Sequence, residues 1–518
     1  MRIRISRLAG VCAALLMTFG AARAEPLVTL TSLDGATTVE GELLSFDGET
    51  YTVRTSLGVI GVAAAQVTCA GAGCPVEITY GGRFAVQGSN TIGDGLMPAL
   101  IEGYADMLGA ELVRQVGAGE NERVFRLEDA DGKEIAAIEV GAHGTATAFP
   151  ALAGGSAAIG LASRRMEGAE AGLADLRDGA DEHILALGGV IVIVHPDNPV
   201  RALTLDQIAA LFAGRITSWA QLGGPELPVS LYVRDDRSGT QEVFEALVMR
   251  PRRLTIAESA ERLEDNADLS DLVSIDPTGI GFTGFAYARA SRPLAIRQQC
   301  GLTSFPTTFD IKTEEYPLAR RLYAYGSGAA MPPHARQLLD FALSDAAQPV
   351  IAGTGFVDRG IETQGIEVQG IRLANSLTSP EEFSLPLLRE MLGELKDAER
   401  LSITFRFTLG SSNLEARSQS EAERFARLLA RGVYAGKEIL LVGFTDSVGE
   451  FAVNRGLAER RAGSVLATLK ASVPEGALDA VPILVQSYGE LTPVGCNETP
   501  QGRQLNRRVE VWVRDKRG

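Results

Sequence analysis

The stretch GFTDSVGEFAVNRGLAERRA, residues 443–462, joins an apolar strand that ends near Asp446 to a helical repeat rich in arginine. Apolar residues recur with a 3.6-residue period, which predicts an amphipathic helix over 452–470. They are Val453, Leu457, Ala458, Ala462, Val465, Leu466 and Leu469. The polar face of this helix presents Arg455, Arg460 or Arg461. A carboxylate and a guanidinium across such a junction can bind a zwitterion, or they can form an ordinary structural salt bridge.

The residues around this stretch continue the pattern of alternating strands and helices. In chain order it reads as strand LSITFRF, helix SQSEAERFARLLARG, strand KEILLVGF, the helix above, strand ILVQSYG and strand RRVEVWV. The pattern predicts an α+β domain over 397–518, with helices packed on a sheet.

Residues 400–513 resemble the OmpA-like domains that bind peptidoglycan. The resemblance runs through FRFTLGSSNLEA, the VGFTDSVG turn, LAERRA, SYGELTPV and the NRRVEV ending. It implies that Asp446 and Arg461 hold the stem peptide of peptidoglycan, with Asn454 and Arg508 nearby. Asn506 and Arg507 are expected only to stabilise the fold.

The N-terminus has the three parts of a secretory signal peptide, residues 1–24. Basic residues come first, the apolar run Leu8–Phe19 follows, and Ala22-Arg23-Ala24 forms an A-x-A cleavage site. The apolar run is too short to cross a bilayer. We therefore expect export to the periplasm of a Gram-negative-type envelope, in association with peptidoglycan and the outer membrane, and no transmembrane segment in the mature chain.

Export permits disulfide bonds. Cys69 and Cys74, in CAGAGC, are close enough in sequence to bridge a short loop, and this bridge is expected. Cys300 and Cys496 can pair with each other or stay free, because spacing does not decide between these states. The four histidines are scattered through the chain, so no zinc pattern is present and no metal site is expected.

The length of 518 residues calls for several domains, and the net charge of −16 disfavours nucleic acid or an anionic membrane as partner. Residues 25–80 alternate in short β runs, which predicts a small SH3-like or Sm-like barrel for packing or protein interaction. Residues 81–358 alternate apolar strands with amphipathic helices, which predicts an α/β domain with a mostly parallel sheet. Residues 359–396 form a connector with one helix.

Three segments of the α/β region place small hydroxyl residues where a strand meets a helix. They are GSNTIG at 88–93, ASRR at 162–165 and RDDRSGT at 234–240. Helix N-termini offer free N–H donors, glycine permits close approach of the backbone, and arginine pairs with tetrahedral oxyanions. Each segment alone is more often a simple helix cap, but together they favour an oxyanion-binding cradle.

This region resembles the phosphate-type periplasmic substrate-binding proteins of ABC transporters. The resemblance covers about 83–358 and includes HPDNPVRALTLDQIAALFAGRITSWAQLGG at 195–224. It implies the two-lobed type II periplasmic-binding-protein fold, in which two α/β lobes close on a dehydrated anion. It implies ligand contacts from Ser89, Thr91, Ser163, Arg234, Ser238, Gly239 and Thr240. We expect the binding site to include Asn90, Arg164 and Asp236 as well. Asp236 is expected to hold Arg234 in place, and Gly144 and Thr145 to add a fourth edge.

Arg164 departs from the family pattern, because the best-known phosphate binders carry an aspartate at this position. A carboxylate there accepts the proton of phosphate and rejects fully ionised sulfate. Arg164 is therefore either an altered selectivity residue or a solvated surface arginine, and Asp235 is an alternative proton acceptor. The sequence leaves the identity of the anion open.

No catalytic pattern accompanies the cradle. The glycine-rich pieces are not GxxxxGK[ST], and GxSxG is absent from the cradle segments. We expect no enzyme activity and no cofactor. The leading hypothesis is an exported, wall-tethered solute-binding protein for phosphate or a similar oxyanion, with an ABC permease as candidate partner. The alternatives are a structural or adhesive envelope protein and, less favoured, a hydrolase of phosphorylated wall components.

Overall fold

A computed structural model describes most of the chain. The described residues are 27–33, 37–46, 50–55, 58–71, 74, 79–119, 121–173, 181–326, 331–370, 384–408 and 411–517. The predicted signal peptide, 1–24, lies outside them, as does part of the 359–396 connector. The chain divides into two compact units, one up to residue 78 and one from residue 79. Within the described part, none of the helices combines the length and apolar character needed to span a membrane.

The first unit is a single antiparallel sheet, in agreement with the all-β prediction. Its strands are β1 Leu27–Ser32, β2 Thr38–Phe46, β3 Thr50–Thr55, β4 Gly58–Ala63 and β5 Val67–Ala70. Their order is β4-β3-β2-β1-β5. The small core contains Val28, Leu30 and Val53. The predicted disulfide between Cys69 and Cys74 is present, and it joins the end of β5 to the loop that follows.

The second unit begins with a large mixed sheet and three helices. The strands are β6 Gly82–Gly88, β7 Glu111–Val116, β8 Glu122–Glu128, β9 Glu134–Gly141, β10 Ile159–Ala162 and the long β11 Asp181–Val194. The helices are α1 Met97–Leu108, α2 Thr145–Ala153 and α3 Gly168–Ala171, and a π-helical turn at Thr91–Leu96 leads into α1.

The chain then builds a second group of elements before it returns to the first. The strands are β12 Ala202–Thr204, β13 Ser230–Arg234, β14 Glu261–Leu263, β15 Gly279–Gly284, β16 Arg292–Pro293, β17 Ala295–Arg297, β18 Thr303–Ser304 and β19 Ala319–Gly326. The helices are α4 Leu205–Phe212, α5 Gly239–Phe244, α6 Asn266–Ile275, α7 Thr308–Lys312, α8 Pro333–Leu343 and α9 Gln348–Gly353.

These elements form two lobes joined by two long strands. We define lobe 1 as residues 79–187 and 321–358, and lobe 2 as residues 190–318. The strand order β14-β13-β15-β11-β19-β10-β6-β9-β8-β7 runs through both lobes. Strands β11 and β19 pair with each other across the junction, and Gly188 lies opposite Arg320. The predicted two-lobed α/β fold is therefore present.

The expectation of a mostly parallel sheet is only partly correct. Strand β6 is parallel to β9 and β10, and β13 is parallel to β14 and β15. Strands β7, β8 and β9 instead form an antiparallel meander, and β11 is antiparallel to both β15 and β19. The difference has a simple cause, because short turns connect the meander strands and only antiparallel neighbours can be joined that way.

The C-terminal domain is a five-stranded sheet covered by helices on both faces. Its strands are β20 Thr363–Gly365, β21 Glu399–Arg406, β22 Lys437–Phe444, β23 Ile483–Ser487 and β24 Arg508–Asp515, in the order β20-β21-β24-β22-β23. Its helices are α10 Leu385–Leu395, α11 Ala416–Ala430, α12 Phe451–Ala471 and α13 Pro500–Asn506. Ile439 and Leu441 face the core under α11 and α12, whereas Leu440 and Val442 face α10.

Helix α12 buries only part of the predicted stripe. The residues buried as expected are Ala458, Ala462, Val465 and Leu469. Val453 is 62% exposed, and Arg461 is 1% exposed rather than lying on a solvated face. The buried residues are Asn454, Ala458, Arg461, Ala462, Val465 and Leu469. The true stripe therefore includes two polar residues, which apolar periodicity cannot detect.

Lobe 2 and the C-terminal domain meet through charged and covalent contacts. Arg400, 1% exposed, pairs with Glu315 of lobe 2 and lies 3.3 Å from a carboxylate oxygen of Glu510. Its stacking on Phe309 adds a cation–π contact at 5.3 Å. Cys300 and Cys496, whose pairing the sequence left open, form a disulfide. Burial alone would lower the pKa of Arg400, but the two carboxylates raise it above its ordinary value.

Loss of one carboxylate from this network should destabilise the C-terminal domain. Glu315→Gln leaves a buried guanidinium with less compensation, and we expect a loss of about 3 kcal/mol. Urea unfolding followed by Trp512 fluorescence in a Trp219→Phe background measures it. Asp515→Asn is the matched control, because Asp515 pairs with Lys437 at the surface of the same domain, where the two side chains are 89% and 45% exposed, and it should cost about 1 kcal/mol or less. Equal losses in both variants would contradict the prediction.

Candidate functional site

The three predicted cradle segments meet between the lobes, each at the C-terminal end of a strand. Ser89 follows β6 and Ser163 follows β10, and their hydroxyl oxygens are 2.5 Å apart. Thr91 of lobe 1 and Thr240 of lobe 2 bring their hydroxyls to 3.2 Å. All four side chains are buried. In open α/β sheets this edge is where ligands bind, and two pairs of buried hydroxyl groups lie there.

Glycines allow the backbone to approach this cluster closely. A Cβ atom on Gly239 would lie 2.3 Å from the hydroxyl oxygen of Thr145. That same oxygen accepts a hydrogen bond from the backbone N–H of Ser163 at 3.0 Å. Gly144, at φ +102°, lies against the carbonyl of Arg237. Thr145 and Gly144, predicted as a fourth edge, therefore lie beside the other segments.

Two further predicted residues make structural bonds within the cradle. The side-chain amide of Asn90 donates to the carbonyl of Ala142. The hydroxyl of Ser238 caps α5, since it accepts from the N–H groups of Thr240 at 3.2 Å and Gln241 at 3.5 Å. These bonds hold the segments in position. They also occupy hydrogen-bonding groups that the sequence interpretation had assigned to a ligand.

Arg234 is fully buried at the start of the third segment. Its guanidinium donates to the carbonyls of Leu263 and Glu264 and to the side-chain oxygen of Asn266. Burial lowers its pKa to about 10, an effect that the carboxylates of Asp235 and Asp265 partly offset. The guanidinium is thus oriented by neutral hydrogen-bond acceptors, and among the described residues no carboxylate forms an ion pair with it.

Asp236 does not hold Arg234, contrary to the sequence expectation. Its side chain is 83% exposed and pairs with Arg262 at 2.7 Å. The two-residue spacing places Asp236 on the outer side of the turn, so Asn266 takes the orienting role. Asp235, the alternative proton acceptor, has one buried oxygen without a hydrogen-bond partner among the described residues, and its other oxygen accepts from Arg237 at 3.1 Å.

Arg320 is a functional candidate that the sequence interpretation missed. It lies on β19 and donates to the hydroxyl of Thr240 at 3.0 Å. Its Nε and Nη1 atoms find no hydrogen-bond partner in the part of the chain that the structure describes. Burial, and then the positive charge of Arg234, lower its pKa to about 9. The sequence did contain a signal for Arg320, because it lies within the apolar strand LARRLYAYG. A charged residue in such a strand is notable, since charged residues are rarely buried without a partner.

Arg164 lies between the lobes and does not face the cradle freely. Its guanidinium donates to Glu170 of lobe 1, at 2.6 and 2.7 Å, and to Glu242 of lobe 2. Burial alone would lower its pKa, but the two carboxylates raise the pKa above its ordinary value. The side chain is 14% exposed, so it is neither a solvated arginine nor one free to bind a ligand. It connects the two lobes.

The C-terminal domain holds a second candidate site, at Asp446. The carboxylate of Asp446 pairs with Arg507 at 2.7 Å. Arg461 donates from Nε to the carbonyl of Ser411 at 3.2 Å, whereas its Nη1 has no hydrogen-bond partner among the described residues. Burial, and then the positive charge of Arg507, lower the pKa of Arg461 to about 10. The buried amide nitrogen of Asn454 is likewise unpartnered within those residues.

Two predictions for this second site need correction. Arg508 is 0% exposed, and it donates to Glu510 at 2.7 Å and to the carbonyl of Thr492 at 2.8 Å. Arg508 is therefore a structural residue. The neighbouring Arg507, expected only to stabilise the fold, faces Asp446 instead. Arg507 lies between α13 and β24, whereas Arg508 is the first residue of β24 and its side chain is buried. Asn506 accepts from the N–H groups of Val494 and Gly495 and has the expected structural role.

Chemically, the two sites have different character. The first brings two buried guanidiniums and four hydroxyls together, which suits a small anion taken out of water. The second combines one carboxylate with guanidinium and amide donors, which suits a ligand that carries both charges. A two-lobed protein with such an interlobe cradle has the architecture of the periplasmic binding proteins.

Comparison with known proteins agrees with this architecture. Residues 115–346 match the model of the PBP superfamily domain, and residues 406–507 match the model of the OmpA family. The phosphate-binding protein PstS of Pseudomonas aeruginosa is 30% identical over 241 residues, which cover 42% of this chain and 73% of that protein. Outer membrane protein A of Bordetella avium is 45% identical over 75 residues, which cover 14% and 37% of the two chains.

A crystal structure of a phosphate ABC transporter substrate-binding protein from Clostridium perfringens, described with bound phosphate, aligns with a TM-score of 0.44 at 23% identity. The alignment covers 53% of this chain and 99% of that one. The chain belongs to the PstS family of phosphate-binding proteins, and it carries an OmpA-family domain after the PstS-like domain. The matched PstS relatives are named as binding proteins.

Proposed function

We propose that this protein binds inorganic phosphate, or a closely similar oxyanion, between its two lobes while its C-terminal domain holds it to peptidoglycan. The binding residues in this proposal are Ser89, Thr91, Ser163, Arg234, Gly239, Thr240 and Arg320. The pair of buried guanidiniums, Arg234 and Arg320, carries the proposal. Two like charges brought together in a buried site call for an anion between them.

The proposal for the C-terminal domain rests on Asp446. Its carboxylate would accept the ammonium group of a stem-peptide amino acid, and Arg461 and Asn454 would donate to the carboxylate of the same ligand. Membership of the OmpA family supports this assignment. The envelope location follows from it, because peptidoglycan lies in the periplasm. An ABC permease as partner is also part of the proposal, and membership of the PstS family supports it.

Isothermal titration calorimetry of the purified full chain tests anion binding. Phosphate, sulfate, arsenate and glycerol phosphate are titrated separately, and thermal unfolding in each anion provides an independent measure. We expect saturable binding of phosphate. The sulfate titration decides whether a proton acceptor such as Asp235 operates. Absence of heat and of any shift in unfolding temperature with every anion would overturn the proposal and favour a structural envelope protein.

The ion pair between Arg164 and Glu242 should slow the release of the anion, because it crosses from one lobe to the other. Glu242→Gln removes the cross-lobe charge but keeps Arg164 paired with Glu170. We expect dissociation about 10-fold faster, since loss of one partner of a buried pair acts mainly on the dissociation rate. Stopped-flow displacement measures it. Glu245→Gln, on the same helical segment, is the control and should release phosphate at the wild-type rate.

A further inference from the structure

The C-terminal domain is attached firmly to lobe 2 and only weakly to lobe 1. The disulfide Cys300–Cys496 links it covalently to lobe 2. Next to this bridge, Gln298 of lobe 2 accepts from the backbone N–H of Cys496 at 3.0 Å and donates to the carbonyl of Val494 at 3.3 Å. These contacts fasten one end of lobe 2 to the loop before α13.

Helix α7 and the turn after it fasten the same lobe at a second place. Glu315 pairs with the buried Arg400, and Glu314 pairs with Arg417. Arg406, 6% exposed, donates to the carbonyl of Thr313 at 2.9 Å. Two separated attachments, one covalent and one made of buried charges, prevent rotation of lobe 2 against the C-terminal domain.

Lobe 1 is attached far more weakly. Among the described residues, the salt bridge from lobe 1 to the C-terminal domain joins Asp345 to Arg431 at 4.0 Å, and the two side chains are 85% and 67% exposed. Exposed pairs at this distance contribute little to stability. The chain itself leaves lobe 1 at Arg359, which donates to the carbonyl of Leu343. One residue later it is held by lobe 2, because Lys312 donates to the carbonyl of Gly360 at 2.9 Å.

We propose that lobe 2 and the C-terminal domain form one rigid body, and that binding of the anion moves lobe 1 relative to the cell wall. The pivot for this movement consists of the β11–β19 junction and the connector at Arg359 and Gly360. In a wall-bound protein of this design, lobe 2 stays fixed relative to the C-terminal domain, and binding of the ligand moves lobe 1. The inference rests on the proposed function only in one respect, the identity of the ligand whose binding closes the lobes.

Distances between spin labels on the full chain test this inference. Labels are placed on exposed positions of lobe 1, lobe 2 and the C-terminal domain by Asp106→Cys, Asp268→Cys and Lys470→Cys, two at a time; the four cysteines of the described chain are held in disulfides. We expect phosphate to change the 106–268 and 106–470 distances and to leave the 268–470 distance unchanged. A phosphate-dependent 268–470 distance would overturn the inference, as would a constant 106–470 distance while the lobes close.

The ligand-free protein provides the result that separates this inference from the proposed function. The 268–470 distance distribution should be narrower than the 106–470 distribution, whether or not phosphate binds. If none of the anions binds, the proposed function fails and the widths of the distributions alone decide. Equal widths, or a broader 268–470 distribution, overturn the inference. Phosphate binding without any change in distance overturns it as well.

A variant that releases lobe 2 completes the test. Cys300→Ser and Cys496→Ser combined with Glu315→Gln should broaden the 268–470 distribution and leave phosphate affinity within twofold of the wild-type value. Cys69→Ser with Cys74→Ser removes a disulfide from the first unit and is the matched control, with no expected change in either quantity. An unchanged 268–470 distribution in the folded release variant would show that these contacts do not hold the lobe.

Discussion

Replacement of Arg320 by methionine should abolish phosphate binding and stabilise the ligand-free protein. The guanidinium of Arg320 is buried beside that of Arg234, and two of its nitrogen atoms have no partner among the described residues. Loss of one partner of a buried charged contact costs about 2–5 kcal/mol, so we expect affinity to fall at least about 30-fold. Removal of an uncompensated buried charge should raise the unfolding temperature, by roughly 2–4 °C for each kcal/mol recovered.

The pH dependence of stability provides a second check on Arg320. Its pKa in the folded protein, about 9, lies below the ordinary arginine value because burial, and then Arg234, disfavour the charged form. Below pH 9 the folded protein carries the full cost of this charge, and the cost diminishes as the pH rises through 9. The stability difference between Arg320→Met and the wild type should therefore shrink above pH 9, where phosphate affinity of the wild type should also decline.

Arg321→Met is the matched control for these measurements. Arg321 is the next residue on β19, and its side chain pairs with Glu314 at 3.0 Å instead of facing the cradle. We expect this variant to bind phosphate with wild-type affinity. Wild-type binding by Arg320→Met, or an equal loss in both variants, would exclude Arg320 from the site.

Replacement of Asp446 by alanine should release the protein from peptidoglycan. Asp446 is the only carboxylate that we assign to the second site, and it would bind the ammonium group of the stem peptide. Its loss also leaves Arg507 without its partner at 2.7 Å. We expect affinity for purified sacculi to fall about 10-fold or more, as for other buried charged contacts. Co-sedimentation with sacculi at increasing protein concentration measures the change.

Two variants of the same domain separate binding from folding. Asp479→Ala removes an exposed carboxylate from the loop after α12 and should co-sediment like the wild type. Arg508→Met breaks the fully buried pair with Glu510 and should lower the stability of the domain by about 3–5 kcal/mol. Normal co-sedimentation of Asp446→Ala, or a loss of binding in Asp479→Ala equal to that in Asp446→Ala, would contradict the assignment of Asp446.

Much of the architecture was predictable because it depends on local patterns. The hydroxyl and glycine residues of the three cradle segments each follow a strand, and parallel strands bring their C-terminal ends to one edge of a sheet. Ser89 and Ser163 could therefore be placed together before any tertiary contact was known, because β6 and β10 are adjacent parallel strands. Thr240 follows β13 in lobe 2, so only the packing of the two lobes brings it to the same place. Apolar periodicity likewise predicted helix α12, although its buried stripe differs from the predicted one.

The sequence by itself determined the alternation of strands and helices in the two larger domains and the positions of the cradle segments, because periodicity and turn residues act over short distances. The two lobes and the OmpA-like domain were expected from the resemblance of these segments to known families. Only the tertiary structure decided the partners of the charged side chains. It paired Arg164 with Glu242, Asp446 with Arg507 and Cys300 with Cys496, and it placed Arg320 beside Arg234. These pairings depend on which strand faces point inward and on which distant segments meet. Neither can be read from the spacing of residues in the local sequence.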